Sequence, residues 1–200
     1  MKVIGITGGI GVGKTFILEK IAQAGYPVYQ ADQRARQLME EDSQLKRKIQ
    51  ELFGESAFQP DGKLNRAYIA ERIFRETELR HRLNQLVHPR TIEDFLAWVA
   101  ARQKEGYPAI WKEAALTLEA HAGEGLTHLV VVYAPLSVRL ARLRQRGMSS
   151  EEALARMRTQ WPEWRKIALA DYCILNDGIH PLEPQLQQCM TTLSIPISVE

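Results

Sequence analysis

The sequence predicts an α/β fold, a mostly parallel β-sheet covered by helices. Three observations indicate it. A short apolar strand leads through a glycine-rich loop into a helix, strand and helix patterns alternate again in the second half of the chain, and residues 129–133 are almost wholly apolar, as in a central parallel strand. With 200 residues, the chain can hold one compact α/β domain and an insertion.

The first elements predicted are strand, loop, helix and strand. Residues 3–7 are apolar and β-branched, which favours a strand, and the glycines at 8–13 exclude a regular element. A helix follows over residues 14–25, where a glycine ends it. Residues 27–29 predict the second strand, which ends near Asp32 at the start of another helix.

The middle of the chain, from about residue 43 to 104, is predicted as a helical insertion. Its last part reads as two helices, over 79–87 and 92–99, with Pro89 in the first turn of the second. The remaining predicted elements are strands at 109–113, 129–133 and 172–175, a helix that begins at Pro135, a capped helix after Ser149 and a last helix that begins at Pro181.

Residues 8–15 match the phosphate-binding pattern GxxxxGK[ST] without a gap. Glycines let backbone N–H groups approach phosphates, and the helix that follows directs its positive end at them. Lys14 is expected to bridge the β- and γ-phosphates of ATP, and Thr15 to ligate Mg²⁺. The strand before and the helix after disfavour an accidental glycine turn. The expected ATP-binding residues of this loop are Gly8, Gly9, Gly11, Val12, Gly13, Lys14, Thr15 and Phe16.

The rest of the sequence narrows the reaction class. It has no NKxD motif, which GTPases usually carry, and strand 129–133 ends in Ala134-Pro135 rather than in the aspartate typical of motor and transporter ATPases. A small-molecule kinase with an inserted acceptor domain remains. Asp32 follows a strand whose carboxyl end should line the ligand crevice, where it could accept the acceptor hydroxyl proton. The alternative is that Asp32 caps the next helix.

Three arginines, Arg139, Arg142 and Arg146, share one face of a predicted helix. They could neutralise charge on the transferred phosphoryl group, form a solvated basic face, or bind nucleic acid. No aromatic residue is interleaved with them, and a net charge of +2 does not imply a nucleic-acid or membrane partner. His88, which precedes Pro89 at a predicted helix start, is interpreted as a cap, as a packed side chain or as a ligand-binding residue.

Two cysteines, Cys173 and Cys189, form no metal-binding pattern and are interpreted as buried thiols in a reducing compartment. The sequence shows no signal peptide and no stretch apolar enough to span a membrane, so a cytoplasmic location is expected. Nothing in the sequence indicates an oligomeric state.

These motifs together resemble the dephospho-coenzyme A kinase family along almost the whole chain. The residues that carry the resemblance are Gly5 to Thr15, Ala31-Asp32, Gly62-Lys63-Leu64-Asn65-Arg66, Arg72-Ile73-Phe74, Leu86-Val87-His88-Pro89, Val132-Tyr133-Ala134-Pro135, Arg142 with Arg146-Gly147, Ser149-Ser150-Glu151, Gln160, Ala170-Asp171-Tyr172 and Asn176-Asp177-Gly178. The pattern departs from the family at Phe16, at Gln30 and over residues 115–119.

The resemblance implies ATP-dependent phosphorylation of the ribose 3′-hydroxyl of dephospho-CoA, the last step of CoA synthesis. It implies a nucleotide-kinase-like, five-stranded parallel sheet between helices, with a core over 1–42, 105–138 and 168–200, a CoA-binding insertion over 43–104 and a lid over 139–167. It assigns Asp32 as base, Arg66 and His88 to the acceptor, Arg142 and Arg146 to the lid, and Asn176 to the adenine. The alternatives are a P-loop kinase for another nucleotide or small alcohol, and a weakly active nucleotide-binding paralogue.

Overall fold

The computed structural model describes residues 1–113 and 125–196. The strands are β1 (Lys2–Thr7), β2 (Val28–Gln30), β3 (Ala109–Glu113), β4 (His128–Tyr133) and β5 (Tyr172–Leu175). The helices are α1 (Lys14–Gln23), α2 (Ala31–Glu41), α3 (Ser43–Phe53), α4 (Arg66–Arg75), α5 (Thr77–Lys104), α6 (Leu136–Gln145), α7 (Ser150–Arg158), α8 (Glu163–Ile167) and α9 (Leu182–Thr192), with a 3₁₀ turn at Glu55–Ala57.

The five strands form one sheet in the order β2-β3-β1-β4-β5. Strand β1 pairs in parallel with β3 and β4, and β4 pairs in parallel with β5. Because β1 lies at the centre of the order, the glycine loop that follows it begins at the middle of the sheet's carboxyl edge. The predicted parallel sheet is confirmed.

Strand β3 forms although Lys112 is a poor core residue. Its first three residues, from Ala109 to Trp111, are buried, and only Lys112 and Glu113 at the carboxyl end are half-buried. Burial lowers the pKa of the Lys112 ammonium. The apolar start of the strand therefore supplies its packing, and the polar end reaches the edge that carries the loops.

The chain divides into two compact units, one made of residues 1–29 and 102–200 and the other of residues 30–101. The first unit contains the core between sheet and helices, which includes Ile6, Trp111 and Val132. The second is helical and has its own core, which includes Ile49 and Phe53. The finer division into a core, a CoA-binding insertion and a lid stays a prediction.

Three local predictions are wrong. Residues 77–104 form one helix with Pro89 inside it, not two helices with Pro89 in a first turn. His88 therefore lies in the middle of a helix, so its helix-start role is excluded. Cys189 is buried as expected, and burial raises the pKa of its thiol to about 12, but Cys173 is exposed on β5.

The capping box predicted after Ser149 is confirmed: the Ser149 hydroxyl accepts from the N–H of Glu152, and the Glu152 carboxylate accepts from the N–H of Ser149. Among the described residues, no helix is long and apolar enough to cross a membrane.

Candidate active site

The loop between β1 and α1 has the backbone shape that its glycines permit. Gly13, the residue before α1, has a φ of 89°, in the left-handed region that favours glycine. A Cβ on Gly8 would lie 2.3 Å from the carbonyl oxygen of Val132, so a larger residue would push the loop away from β4. The loop thus lies directly on the sheet edge, with the N-terminus of α1 behind it, which is the arrangement that binds phosphate.

Lys14, the first residue of α1, extends back over the loop. Its ammonium nitrogen donates to the carbonyl oxygen of Gly8 at 2.8 Å, six residues earlier. This contact places a positive charge against the glycine loop. Thr15 follows in the first turn of the helix and is exposed. Both residues are therefore located where the sequence pattern predicts them.

Arg142 on α6 is bonded to the glycine loop and to the end of β5. Its Nη1 donates to the carbonyl oxygens of Val12 at 3.1 Å and Asn176 at 3.0 Å, and its Nη2 donates to Asn176 Oδ1 at 3.2 Å. Asn176 is buried, and its Nδ2 donates to the same Val12 oxygen at 2.8 Å. The structure therefore brings Arg142, Asn176 and the loop together, although they are far apart in sequence.

The solvated-face interpretation of the three arginines is wrong for two of them. Arg139 is buried, and its Nε donates to the carbonyl oxygen of Ile10 at 2.8 Å. Arg142 is half-buried, and only Arg146 is exposed. Arg139 and Arg142 are covered because the face of α6 that carries them lies against the glycine loop. The sequence spacing identified the face correctly but could not show what covers it.

A cavity of about 580 Å³ opens beside the loop, within the unit that contains the sheet; among the residues that line it are Gly13, Phe16, Arg142, Arg146, Asn176 and His180. Phe16 is half-exposed, and the Lys20 ammonium lies 5.2 Å from the centre of its ring. A ring at this position supplies an apolar wall and no hydroxyl. The cavity combines cationic, apolar and amide groups, a lining suited to a small molecule that is charged at one end and apolar at the other.

The loop after β5 forms the rim of this cavity and is fixed by Asp177. Its Oδ1 accepts from the N–H groups of Ile179 and His180, both at 2.9 Å, and its Oδ2 lies 2.7 Å from His180 Nδ1. These bonds, those from the backbone first, lower the pKa of the Asp177 carboxyl to about 2. Asp177 thus stays ionised and holds the loop in one conformation.

The candidate acceptor residues Asp32, Arg66 and His88 all belong to the helical unit. Asp32 is in the first turn of α2, one residue after its start, and Gln30 is the residue before the helix. The helix begins at Ala31 rather than near Gln33, so the N-cap alternative for Asp32 is wrong. Arg66 begins α4 and lies 3.6 Å from the Glu40 carboxylate, while His88 is exposed.

Sequence reasoning missed two residues beside the glycine loop, one bonded to the loop directly and one linked to it through Arg139. Gln160 Oε1 accepts from the N–H of Ile10 at 2.9 Å, and Glu163 pairs with Arg139 at 3.1 Å. Gln160 has no sequence signal beyond its position in the family pattern, and no spacing rule connects either residue to the loop. The departure over residues 115–119 lies outside the described residues.

Comparison with known proteins gives one consistent result. The family described as dephospho-CoA kinase matches residues 2–181. A dephospho-CoA kinase from Chlorobaculum tepidum is 39% identical over 195 residues, covering 95% of this chain and 94% of the relative. One from Bacteroides fragilis is 34% identical over 191 residues, covering 95% and 92%.

Solved structures agree. A protein from Thermus thermophilus has a TM-score of 0.81 at 30% identity over 96% of both chains. A dephospho-CoA kinase from Campylobacter jejuni has a TM-score of 0.70 at 27% identity, over 97% of this chain and 96% of that one. Shikimate kinase from Bacteroides thetaiotaomicron, with a TM-score of 0.50 at 16% identity over 96% and 98%, shares the fold alone. The family match over residues 2–181 spans both the glycine loop and the candidate acceptor residues.

Proposed function

The chain belongs to the dephospho-CoA kinase family, and on that premise we propose that it transfers the γ-phosphate of ATP to the ribose 3′-hydroxyl of dephospho-CoA, giving CoA and ADP. The observation that carries the proposal is the match of the dephospho-CoA kinase family over residues 2–181, a range that includes the glycine loop and the three candidate acceptor residues. The geometry of the glycine loop, which we call the P-loop, supports the proposal, because Lys14 and Arg142 both contact this loop, which would hold the phosphates.

The nucleotide side of the reaction is assigned to the unit that contains the sheet. We propose that the loop N–H groups and Lys14 bind the β- and γ-phosphates, and that Arg142 offers donors to the phosphoryl group as it moves. Asn176 would lie beside the adenine and Phe16 beside the nucleoside. The cavity bordered by Arg142, Asn176 and Phe16 supports these roles, and Arg146, which also lines it, would add a second cation.

The acceptor side is assigned to Asp32, Arg66 and His88. The Asp32 carboxylate would accept the proton of the 3′-hydroxyl while the 3′-oxygen forms a bond to the γ-phosphorus of ATP. At the same time the bond between that phosphorus and the bridging oxygen would break, and ADP would leave. Arg66 and His88 would hold the acceptor. Exposure of His88 and of Arg66, whose side chain is 63% accessible, supports a role in binding.

Magnesium fits the residues that the structure describes. They contain no group of three or more His, Cys, Asp or Glu side chains able to enclose a metal ion. Mg²⁺ usually keeps several waters and is held by substrate phosphates with one or two protein oxygens, so the Thr15 hydroxyl suffices as a protein ligand. When bound, the ion would neutralise charge on the β- and γ-phosphates. A cytoplasmic location is also proposed, because both cysteines are free thiols.

An acceptor panel tests the function. ADP release is measured with MgATP alone, with dephospho-CoA, and with shikimate, gluconate or a nucleoside monophosphate in its place. We expect dephospho-CoA to raise the rate at least about a hundredfold, a difference of ~2.7 kcal/mol in activation free energy. A greater increase with another acceptor would favour a different P-loop kinase, and tight ATP binding without transfer would favour a non-catalytic nucleotide-binding protein.

A further inference from the structure

Ile10, in the middle of the P-loop, is held at both of its backbone polar groups by side chains that are distant in sequence. Its N–H donates to Gln160 Oε1 at 2.9 Å, and its carbonyl oxygen accepts from Arg139 Nε at 2.8 Å. Neither bond belongs to a helix or to the sheet. The conformation of the loop at Ile10 is therefore determined by two side chains rather than by regular secondary structure.

The arginine that makes one of these bonds is buried with its counter-ion. The Arg139 side chain is 7% accessible and pairs with Glu163 Oε1 at 3.1 Å. Lys166, whose side chain is 1% accessible, lies 3.8 Å from the same oxygen. Burying charges is costly even when they are paired, and apolar residues of similar size often stabilise a fold as well or better. A contribution to the stability of the fold therefore does not explain this charged cluster well, and orientation of the loop that Arg139 contacts explains it better.

The ion pair lies directly against the loop. A Cβ on Gly9 would be 2.2 Å from Glu163 Oε1 and 2.4 Å from Arg139 Nη2. Only glycine lets the main chain come this close to the two side chains. Gly9 is thus required for contact with the pair, in addition to any contact it makes with phosphate.

We propose that Arg139 and Gln160, which we call the brace, are positioning residues that hold the P-loop in its phosphate-binding shape before nucleotide arrives, with Glu163 orienting Arg139. They act through Ile10 and do not touch the nucleotide. Because the Gln160 bond uses the Ile10 N–H, phosphate binding rests on the other N–H groups of the loop. The inference deepens the proposed function, on which it rests for the identity of the ligand.

The physical reason is the freedom of the loop itself. A segment with four glycines among residues 8–13 samples many conformations when nothing holds it. Apparent affinity for a ligand falls in proportion to the fraction of molecules in the binding-competent shape. The same shape is needed by bound ATP and by the transition state, so loss of the brace should weaken both equally and raise KM with kcat little changed.

The test uses Gln160→Met and Arg139→Met in the whole protein. We expect each to raise the KM for ATP about tenfold, with kcat within about threefold of wild type and the KM for dephospho-CoA unchanged. The double variant should raise the KM for ATP by less than the product of the two single-variant factors, since loss of either bond already frees Ile10. Gln160 is half-buried, so its variant should fold even if Arg139→Met does not.

Two matched controls remove an arginine and a glutamine elsewhere. Arg144→Met changes an exposed arginine on the same helix, and Gln188→Met changes an exposed glutamine on α9. Both should keep the wild-type KM for ATP. A purely structural role would instead lower the melting temperature and the active fraction, and so lower kcat while both KM values stay as in wild type.

A calorimetric titration with MgADP makes the test independent of turnover. We expect the Kd of Gln160→Met for ADP to rise about tenfold over wild type, the same factor as its KM for ATP. The proposed role of the brace would be overturned if the Kd for ADP were unchanged in both brace variants. It would also be overturned if the brace variants had the same KM for ATP as their control variants. A wild-type protein that binds ADP but forms none from dephospho-CoA and ATP would overturn the proposed function and leave the brace standing.

Discussion

Replacing Arg142 by lysine should lower kcat by about 10²–10³-fold although the charge is kept. The reason is that a single ammonium nitrogen replaces the planar guanidinium, whose several N–H donors can bond to protein and phosphate at once. A guanidinium has five N–H donors, and three of them bond to Val12 and Asn176, which leaves two for a phosphate among the contacts of the described residues. A lysine ammonium has three donors. If it kept the same three bonds, none would remain for the phosphoryl group.

The size of the effect follows from known losses of a transition-state donor, ~2.7–4 kcal/mol each. Arg142→Ala should lower kcat further, since charge and donors are both removed. The fold should tolerate it, because the Val12 oxygen keeps its bond from Asn176 Nδ2 at 2.8 Å. Freeing the two Asn176 oxygens should cost on the order of 1–3 kcal/mol of unfolding free energy, so rates must be measured well below the melting temperature.

The assay is a single turnover with enzyme in excess of dephospho-CoA and ATP at saturation. Saturating ATP should not rescue the Arg142 variants, because the missing contact belongs to the transition state. Arg144→Lys and Arg144→Ala are the controls, since Arg144 is exposed on the same helix. If the Arg142 and Arg144 variants turned over at the same rate, the role of Arg142 in the reaction would be refuted.

Three further predictions use the same protein. Lys14→Ala should lower kcat/KM by at least about a hundredfold with the fold kept, and a loss within about threefold in steady-state kinetics would contradict its assignment to the phosphates. Asp32→Asn should lower kcat by about 10²–10⁴-fold with little change in melting temperature, since Asp32 does not cap α2; a lower melting temperature at unchanged kcat would exclude the base role. The folded-state pKa of Asp177 is about 2, below its ordinary 3.8, so its carboxylate stabilises the fold above about pH 4 and that contribution is lost as the pH falls toward 2. Denaturant unfolding should show that the difference in unfolding free energy between wild type and Asp177→Asn is constant near neutral pH and shrinks over that acid range. A difference that does not depend on pH would contradict the lowered pKa of Asp177.

Elements whose signal is local were predictable from the sequence. The P-loop is one, because a contiguous pattern between a strand and a helix determines both the backbone shape and the position of Lys14. Strand β4 is another, because it is almost wholly apolar. The single helix through Pro89 was not, because a proline disrupts a helix interior and favours a first turn, while the burial of Val87 and Phe95 on either side of Pro89 depends on tertiary packing.

Features that depend on tertiary contact could not be predicted. The spacing of Arg139 and Arg142 gives a shared helix face, but whether water or the P-loop covers that face is decided by the packing of α6. The bond between Gln160 and Ile10 joins residues 150 positions apart in the sequence. Asp32 was placed correctly after β2, yet its helix begins earlier than expected, so only the structure separates a first-turn carboxylate from a cap.

The position of the new phosphate tests the central claim most directly. Dephospho-CoA and MgATP are incubated with the protein, and the product is examined by ³¹P NMR with coupling to the ribose protons. We expect one new phosphomonoester, coupled to the 3′ proton and formed in equal amount to ADP, and at least about a hundredfold slower formation of it with Lys14→Ala. A phosphate on any other oxygen, or ADP formed without a new phosphorus signal in dephospho-CoA, would contradict the account.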